Sequence, residues 1–461
     1  MTDTPMRPAH SEDGRSFTVP DASGTPFIAG TLLIVTTTTT RLLALVEERT
    51  STADGEPEAL HGRLLGAIDG TRFDPRGGLP FAGADVEVAD GATIDLVHAD
   101  MGATLEIGVN LSPPLRAARL LAHRFNRHTF WCGQSGSGKT YALGVVLEQL
   151  IAHTALPVVV FDPNSDFVRL GELNPDASGP TAELLRHRDI RVLRPNVEGA
   201  IPLRARFPAL TLEAKAAVLR LDPVVDREEF NAVVHLSETF SAIEPNELLP
   251  ELLGSSAPAK RALGLRIENM GLLNWEVWAG HDREATLVID ERADATVLDL
   301  GGFSTPDQQL VVALSVLDEL WARREERRPV LLVIDEAHNL CSPALTSPLA
   351  VAVRERLVQI AAEGRKFGLW LLLSTQRPSK VAPGIISQCD NLALMKMSSP
   401  VDLEGLATYF GYAPTALIAR SPWFRQGEAL FAGGFVPAPT LLSMNSRLTP
   451  EGGSDVGVPL R

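Results

Sequence analysis

The sequence predicts an α/β core on a parallel sheet, preceded by a small all-β module, with a helical stretch inserted in the core. From about residue 113, apolar runs of four to eight residues alternate with helical stretches, the pattern of parallel strands covered by helices on both faces. Before that point the runs are broken by Gly, Pro and Asp, as in a β-barrel or sandwich. Between roughly 205 and 285 the strand signal gives way to helical periodicity. At 461 residues the chain exceeds one ordinary domain.

The segment 1–15, MTDTPMRPAHSEDGR, has no apolar stretch that could serve as a signal peptide and reads as a short disordered tail. Cytoplasm is the expected location. The β module spans 16–112, with "TLLIVTTTTT", "RLLALVEE" and "ATLEIGVNL" as strands and the β-branched Thr36 to Thr40 at a strand edge. Core strands follow at "TFWC", "PVVVFD" and "IRVLRP" within 113–204. In the insertion, 205–285, Asp226 and Glu229 have capping-box spacing, and Trp275 and Trp278 fall three apart on one helix face, packed into a core. The core resumes over 286–440 with "ATVLDL", "VLLVIDE", "GLWLLLSTQ" and "NLALMKM". Thr305 and Pro306 start a long helix whose arginine-rich end reads as a solvated face. A terminal segment occupies 441–461.

Bulk composition narrows the function classes. With 45% hydrophobic and 21% charged residues and no apolar run near the ~20 residues of a membrane helix, the chain reads as a globular protein that does not engage a membrane. Cys132, Cys341 and Cys389 are far apart, which argues against a disulfide framework and a zinc site. A net charge of −15 argues against wholesale adhesion to nucleic acid but leaves room for a local basic channel.

"GQSGSGKT", Gly133 to Thr140, lies between the strand "TFWC" and an amphipathic helix. In that context glycines let backbone N–H groups curl around phosphates, Lys139 reaches the terminal phosphates and the Thr140 hydroxyl can ligate Mg²⁺. "VLLVIDEAHNL" brings Asp335 and Glu336 to a strand's carboxyl end, where open α/β sheets bind ligands. Asp335 suits a Mg²⁺-held water, and Glu336 can polarise the attacking water. Asp299, in "VLDLGG", competes for the metal role, but no guanine-binding signature follows it and the later strand has the better pair. No LSGGQ-type stretch is present either.

The strand "GLWLLLSTQ" ends at Gln376, where an amide can contact a γ-phosphate or the attacking water. Arg365 and Lys366 precede it, at the other end of the sheet from the phosphate loop, so they suit a neighbouring subunit's phosphates better than their own.

Taken together, "GQSGSGKT", "VIDEAHN", "EGRKFG", "STQRPSKV", "ISQCDN" and "EGGSDV" resemble the HerA family of the HerA-FtsK superfamily, hexameric P-loop DNA translocases. The resemblance covers nearly the whole chain. It implies an N-terminal β-barrel, a RecA-like P-loop ATPase core with a helical insertion, and a C-terminal segment that braces the neighbouring subunit. It implies ATP contacts from Gly133, Gly136, Ser137, Gly138, Lys139, Thr140, Tyr141 and Asp162, with Mg²⁺ on Thr140 and Asp335. Glu336 would be the catalytic base, Gln376 the sensor, Arg365 the trans finger and Arg127 a same-subunit arginine. Family members often carry a glycine where this chain has "PNSD", and "FNAVVHLSETF…NWEVW" aligns with no family pattern.

The implied function is ATP-driven movement of a homo-hexamer along double-stranded DNA, with a separate NurA-like nuclease or sirtuin-like NAD-hydrolysing effector, in DNA end processing or antiphage defence. Arg377, Lys380, Lys260, Arg261 and Arg266 are candidate pore contacts to phosphates. The alternative is an ATP-gated ring scaffold that activates an effector without processive movement. A conjugation-type ATPase is a third reading, opposed by the lack of a membrane segment.

Overall fold

A computed structural model of the chain describes residues 8–20, 27–50, 59–76, 78–236 and 245–453. Residues 1–7 of the expected tail, 237–244 of the insertion and 454–461 of the terminal segment lie outside the described residues. The chain divides into two compact units. One comprises Met1–Thr154, Gln376–Ser379 and Cys389–Arg447, the other Ala155–Thr375, Lys380–Gln388 and Leu448–Arg461.

The first unit begins with β1 (Ala9–Ser11), β2 (Ser16–Val19), β3 (Leu32–Thr36), β4 (Arg41–Thr50), β5 (Ala59–Asp69), β6 (Arg72–Asp74) and β7 (Phe81–Val88). Their order is β2-β1-β7-β3-β4-β5-β6, and β2 also pairs with β5. That extra pairing closes the first six into a barrel and leaves β6 appended to β5. Alternation along β5 sends every second side chain inward, where Phe17, Leu33, Val35, Leu42 and Leu60 fill the interior.

Twelve more strands follow: β8 (Ala103–Asn110), β9 (Ala117–Leu121), β10 (His128–Cys132), β11 (Val158–Asp162), β12 (Ile190–Arg194), β13 (Ile201–Pro202), β14 (Ala295–Asp299), β15 (Val330–Ile334), β16 (Leu369–Thr375), β17 (Cys389–Met395), β18 (Glu428–Gly433) and β19 (Thr440–Met444). In the first unit the order is β10-β17-β18-β19-β8-β9, with β10 and β17 parallel and the other pairs antiparallel. In the second it is β13-β12-β14-β11-β15-β16, parallel throughout. β11, β14 and β15 are buried along their whole length, which is why they read as unbroken apolar runs.

Several expectations are corrected. β1 lies inside the expected tail, and its three residues carry too little apolar signal to show. The Thr run is not a strand edge beyond Thr36: Thr37 to Thr40 form the hairpin turn, with Thr37 Oγ1 accepting from Thr40 N at 2.9 Å. "ATLEIGVNL" is β8, which pairs with β9 and β19 and not with the barrel. Alternation identifies a strand but not its partner. The terminal segment also opens inside a strand, β19, and does not begin as a separate brace.

The insertion holds the helices Leu212–Leu219, Arg227–Leu236, Pro245–Gly254 and Pro258–Asn269. Asp226 and Glu229 turn their carboxylates to Arg266 at 3.0 and 2.6 Å, in place of a capping box. Trp275 and Trp278 are not on a helix, because left-handed Gly271 and the turn Leu272–Asn274 break it. Their rings stack at 6.2 Å and are half-buried, with Phe207 edge-on to Trp278. The helix Pro306–Ala322 does start after Thr305. Beyond it Arg323 meets Asp290 at 2.7 Å and Arg328 meets the same carboxylate, while Arg327 is exposed as expected of a solvated face. No helix among the described residues is long and apolar enough to cross a membrane.

Candidate functional site

In the first unit the fully buried β10 delivers the loop Gly133 to Gly138 to the helix Lys139–His153. Gly136 and Gly138 are left-handed, at φ 75° and 84°, where a Cβ is disfavoured. A Cβ on Gly133 would lie 2.7 Å from Ser137 Oγ and 2.8 Å from Met395 Cβ. Backbone bonds fix the loop: Gln134 N donates to Lys396 O at 2.8 Å, and Gly427 N donates to Ser137 O at 3.0 Å. The Lys139 side chain is buried and Thr140 half-buried. Ser137 Oγ is buried without a hydrogen-bond partner among the described residues, a polar atom that a phosphate oxygen would satisfy.

Tyr141 stands in the first turn of the helix Lys139–His153, and its hydroxyl accepts from Arg447 N at 2.8 Å. The Arg447 side chain is wholly buried on the same helix, 3.9 Å from Glu148, and a Cβ on Gly144 would come within 2.6 Å of its Cδ. The terminal segment as far as Arg447 therefore packs on its own phosphate-loop helix. Arg127 stands before β10, its Nε 3.5 Å from Asp390. A five-residue strand separates it from Gly133, roughly 17 Å of chain. The structure does not bring Arg127 to its own phosphate loop.

In the second unit three parallel strands end in aspartates, with Asp162 in register with Asp299 and Asp335 one residue beyond β15. All three are buried, and their environments differ. Asp162 accepts from Asp166 N at 2.9 Å and Phe167 N at 2.8 Å. Burial nevertheless pushes its carboxyl up to about 7, against those two bonds and with help from the nearby Asp335 charge. Asp299 accepts from Ser165 Oγ at 2.6 Å and pairs with Arg194 Nε at 2.8 Å, so it is committed to a structural ion pair.

Asp335 receives Ser374 Oγ at 2.7 Å from β16. Glu336 follows in a left-handed conformation, φ 42°, which costs a non-glycine residue ~1–3 kcal/mol and clusters at functional sites. Its Oε2 lies 3.2 Å from His338 Nδ1, and that nitrogen lies 3.2 Å from Thr375 Oγ1. The short helix that carries His338 is tied to β16 by Ala337 N donating to Ser374 O at 2.8 Å. The unit thus brings Asp162, Asp335 and Glu336 to the carboxyl ends of neighbouring strands in its sheet. Ser374, His338 and Thr375 were not singled out from sequence. The His two positions after Glu336 was the one visible signal.

Gln376 follows β16 and is half-buried. Arg365 and Lys366 are exposed on the turn Gly364–Phe367, at the start of β16, the opposite end of that strand from Thr375. The turn is braced. Left-handed Gly368 (φ 83°) packs so near Pro329 that a Cβ would lie 3.1 Å from its Cα, and a Cβ on Gly364 would lie 2.9 Å from Leu369 O. Phe367 sits edge-on to Trp321 at 6.0 Å, with Arg324 over the Trp321 ring at 4.7 Å. Of the candidate pore residues, Arg377, Lys380 and Arg261 are exposed, and Arg266 is withdrawn into its ion pairs.

Known helicases and ATPases share sequence and fold with this chain. Residues 118–319 match the family described as "Helicase HerA, central domain". A DNA double-strand break repair helicase HerA of Pyrococcus furiosus is 22% identical over 479 aligned positions, covering 90% of this chain and 84% of that protein. A probable helicase of Methanocaldococcus jannaschii is 29% identical over 141 residues, 31% of this chain and 26% of its own. The chain thus spans under a third of the length of the first curated relatives it matches. The fold of the bacterial conjugative coupling protein TrwBdeltaN70 superposes with a TM-score of 0.52 at 14% identity, covering 80% of this chain and 94% of that one. Residues 118–319 are thus similar to the central domain of HerA helicases, and the fold is that of a RecA-like P-loop ATPase core in a chain that also carries a closed N-terminal barrel.

Proposed function

We propose that this protein is an ATPase that drives movement along double-stranded DNA as a homo-hexameric translocase or helicase, alongside a separate nuclease or other effector protein. The observation that carries the reading is the buried pair at the end of β15: Asp335 fixed by Ser374, and Glu336 held in a strained backbone beside His338. A solvated strand end would need neither feature. The names of the HerA relatives, DNA double-strand break repair helicases, support DNA as the substrate.

In this reading the backbone of Gly133 to Gly138 and the Lys139 ammonium hold the phosphates, and the Ser137 hydroxyl gains its partner there. Thr140 and Asp335 offer hard oxygen ligands, a donor set that fits Mg²⁺. Mg²⁺ bound to nucleotide takes few protein ligands and shares its coordination with phosphates and waters. Bound Mg²⁺ would neutralise charge on the terminal phosphates. Glu336 takes a proton from the attacking water, Gln376 contacts the terminal phosphate or that water, and Asp162 shapes the strand ends from its capped loop. Arg365 serves a neighbouring subunit, and Arg127 joins it as a candidate for that role.

The test is steady-state ATP hydrolysis with and without linear duplex DNA at low salt, with Glu336→Gln as the blank. Stimulation by DNA, ATP binding without turnover in Glu336→Gln, and loss of turnover with intact assembly in Arg365→Ala are expected. A slow rate indifferent to DNA would replace the translocase with a nucleotide-gated scaffold. Full turnover by Glu336→Gln would remove the assigned base.

A further inference from the structure

One side chain beside Glu336 faces two oxygens with a single nitrogen. His338 Nδ1 lies 3.2 Å from Glu336 Oε2 and 3.2 Å from Thr375 Oγ1, and its side chain is 17% exposed. A neutral ring nitrogen either carries a proton and donates or holds a lone pair and accepts. As a donor, Nδ1–H binds the Glu336 carboxylate. As an acceptor it takes the Thr375 hydroxyl, and its lone pair then repels that carboxylate. The two states exclude each other. Glu336 and Thr375 stand at the carboxyl ends of the neighbouring strands β15 and β16, with the ring across them.

We propose that His338 is a positioning residue that parks the Glu336 carboxylate in the resting protein and releases it when the Thr375 hydroxyl turns to Nδ1. This rests on the role of Glu336 as the base. A carboxylate oxygen that already receives an N–H is the weaker acceptor for a proton from water. Release needs no change of charge: the proton leaves Nδ1 for solvent and Nε2 takes one up, through the 17% of the side chain that water reaches. Thr375 directly precedes Gln376, so a pull on the sensing residue reaches Glu336 through two adjoining side chains.

The experiment measures kcat and KM for ATP with Mg²⁺ and no DNA. His338→Ala should raise kcat severalfold at unchanged KM, because the Nδ1–H bond to the carboxylate is gone. Thr375→Val, which keeps the shape and removes the competing hydroxyl, should lower kcat severalfold at unchanged KM. The double variant should behave as His338→Ala alone, since without the ring the hydroxyl has nothing to compete for. Melting curves accompany each variant, and His338→Phe gives the same reading should His338→Ala not fold. A structural role would move stability without this opposed pair. Equal directions of change, additive effects, or wild-type kinetics in both single variants would overturn the proposal while leaving Glu336 as base. A wild type as inactive as Glu336→Gln would overturn both.

Discussion

Replacing Arg194 with Met tests the division of labour among the three aspartates. The Asp299 carboxylate is 1% exposed and holds two partners, Ser165 Oγ at 2.6 Å and Arg194 Nε at 2.8 Å. Removing one partner of a buried pair leaves a charge uncompensated and costs ~3–5 kcal/mol when both groups are fully buried. Arg194 is 32% exposed, so water replaces part of what it supplied and the loss scales to about 2–3 kcal/mol. For a unit of this size each kcal/mol is worth roughly 2–4 °C in Tm, so the midpoint should fall by roughly 4–12 °C. Thermal and urea unfolding followed by tryptophan fluorescence reads this. Arg194→Met/Asp299→Asn should recover at least ~1 kcal/mol relative to the sum of the single losses. ATP turnover should persist in all three variants, because the proposed function gives the metal to Asp335 and leaves Asp299 in its ion pair. Wild-type stability of Arg194→Met, additive losses, or a folded Asp299→Asn without turnover would refute the assignment.

Other outcomes follow from particular contacts. The folded protein keeps the Asp162 proton between its unfolded value of 3.8 and about 7, so this group's stability contribution is full below pH ~4 and is lost as pH rises to about 7, by at most ~4 kcal/mol. Asp162→Asn should flatten that part of the slope in urea midpoints between pH 5 and 8, and an unchanged slope would place it elsewhere. A Cβ on Gly452 would fall inside contact distance of Ser165 O and 2.7 Å from Val168 Cγ2. Gly452→Ala should therefore loosen the terminal segment at a cost of ~1–3 kcal/mol, seen as faster hydrogen exchange at Gly452 N, and unchanged exchange would deny the fit. All three cysteines are buried, and burial pushes the Cys341 thiol up to about 12 and Cys132 higher still. Thiol reagents should label none in the native protein at pH 8 and all three after unfolding; rapid native labelling would contradict the packing.

What could be read from the chain follows from where each signal originates. β11, β14 and β15 were legible because strands buried on both faces must be apolar at every position. The phosphate loop was legible because its glycines answer a backbone need, which leaves a fixed spacing. β8 announced itself as a strand but not its sheet, since its partners β9 and β19 are chosen by tertiary packing. Trp275 and Trp278 misled because spacing of three fits a helix, whereas Gly271 had already ended it. In the site, Asp335 and Glu336 could be named, but the groups that set their behaviour could not. Ser374 and Thr375 come from the next strand over, and only the register of β15 with β16 brings them near.

The braced turn that carries Arg365 bears on how fast and how cheaply a charge can be delivered. A cation on a loose loop must first order its backbone, at ~1–2 kcal/mol per residue, before it can dock. Here Gly364, Gly368 and the Phe367–Trp321 contact have already fixed the peptide path. The backbone cost is therefore already met, and delivery falls to the Arg365 side chain, whose rotamer entropy is worth at most about 2 kcal/mol. A surface that receives Arg365 would meet a pre-set probe, so engagement and withdrawal could recur in each turnover without refolding a segment, and the timing would be set by the motion of whole subunits.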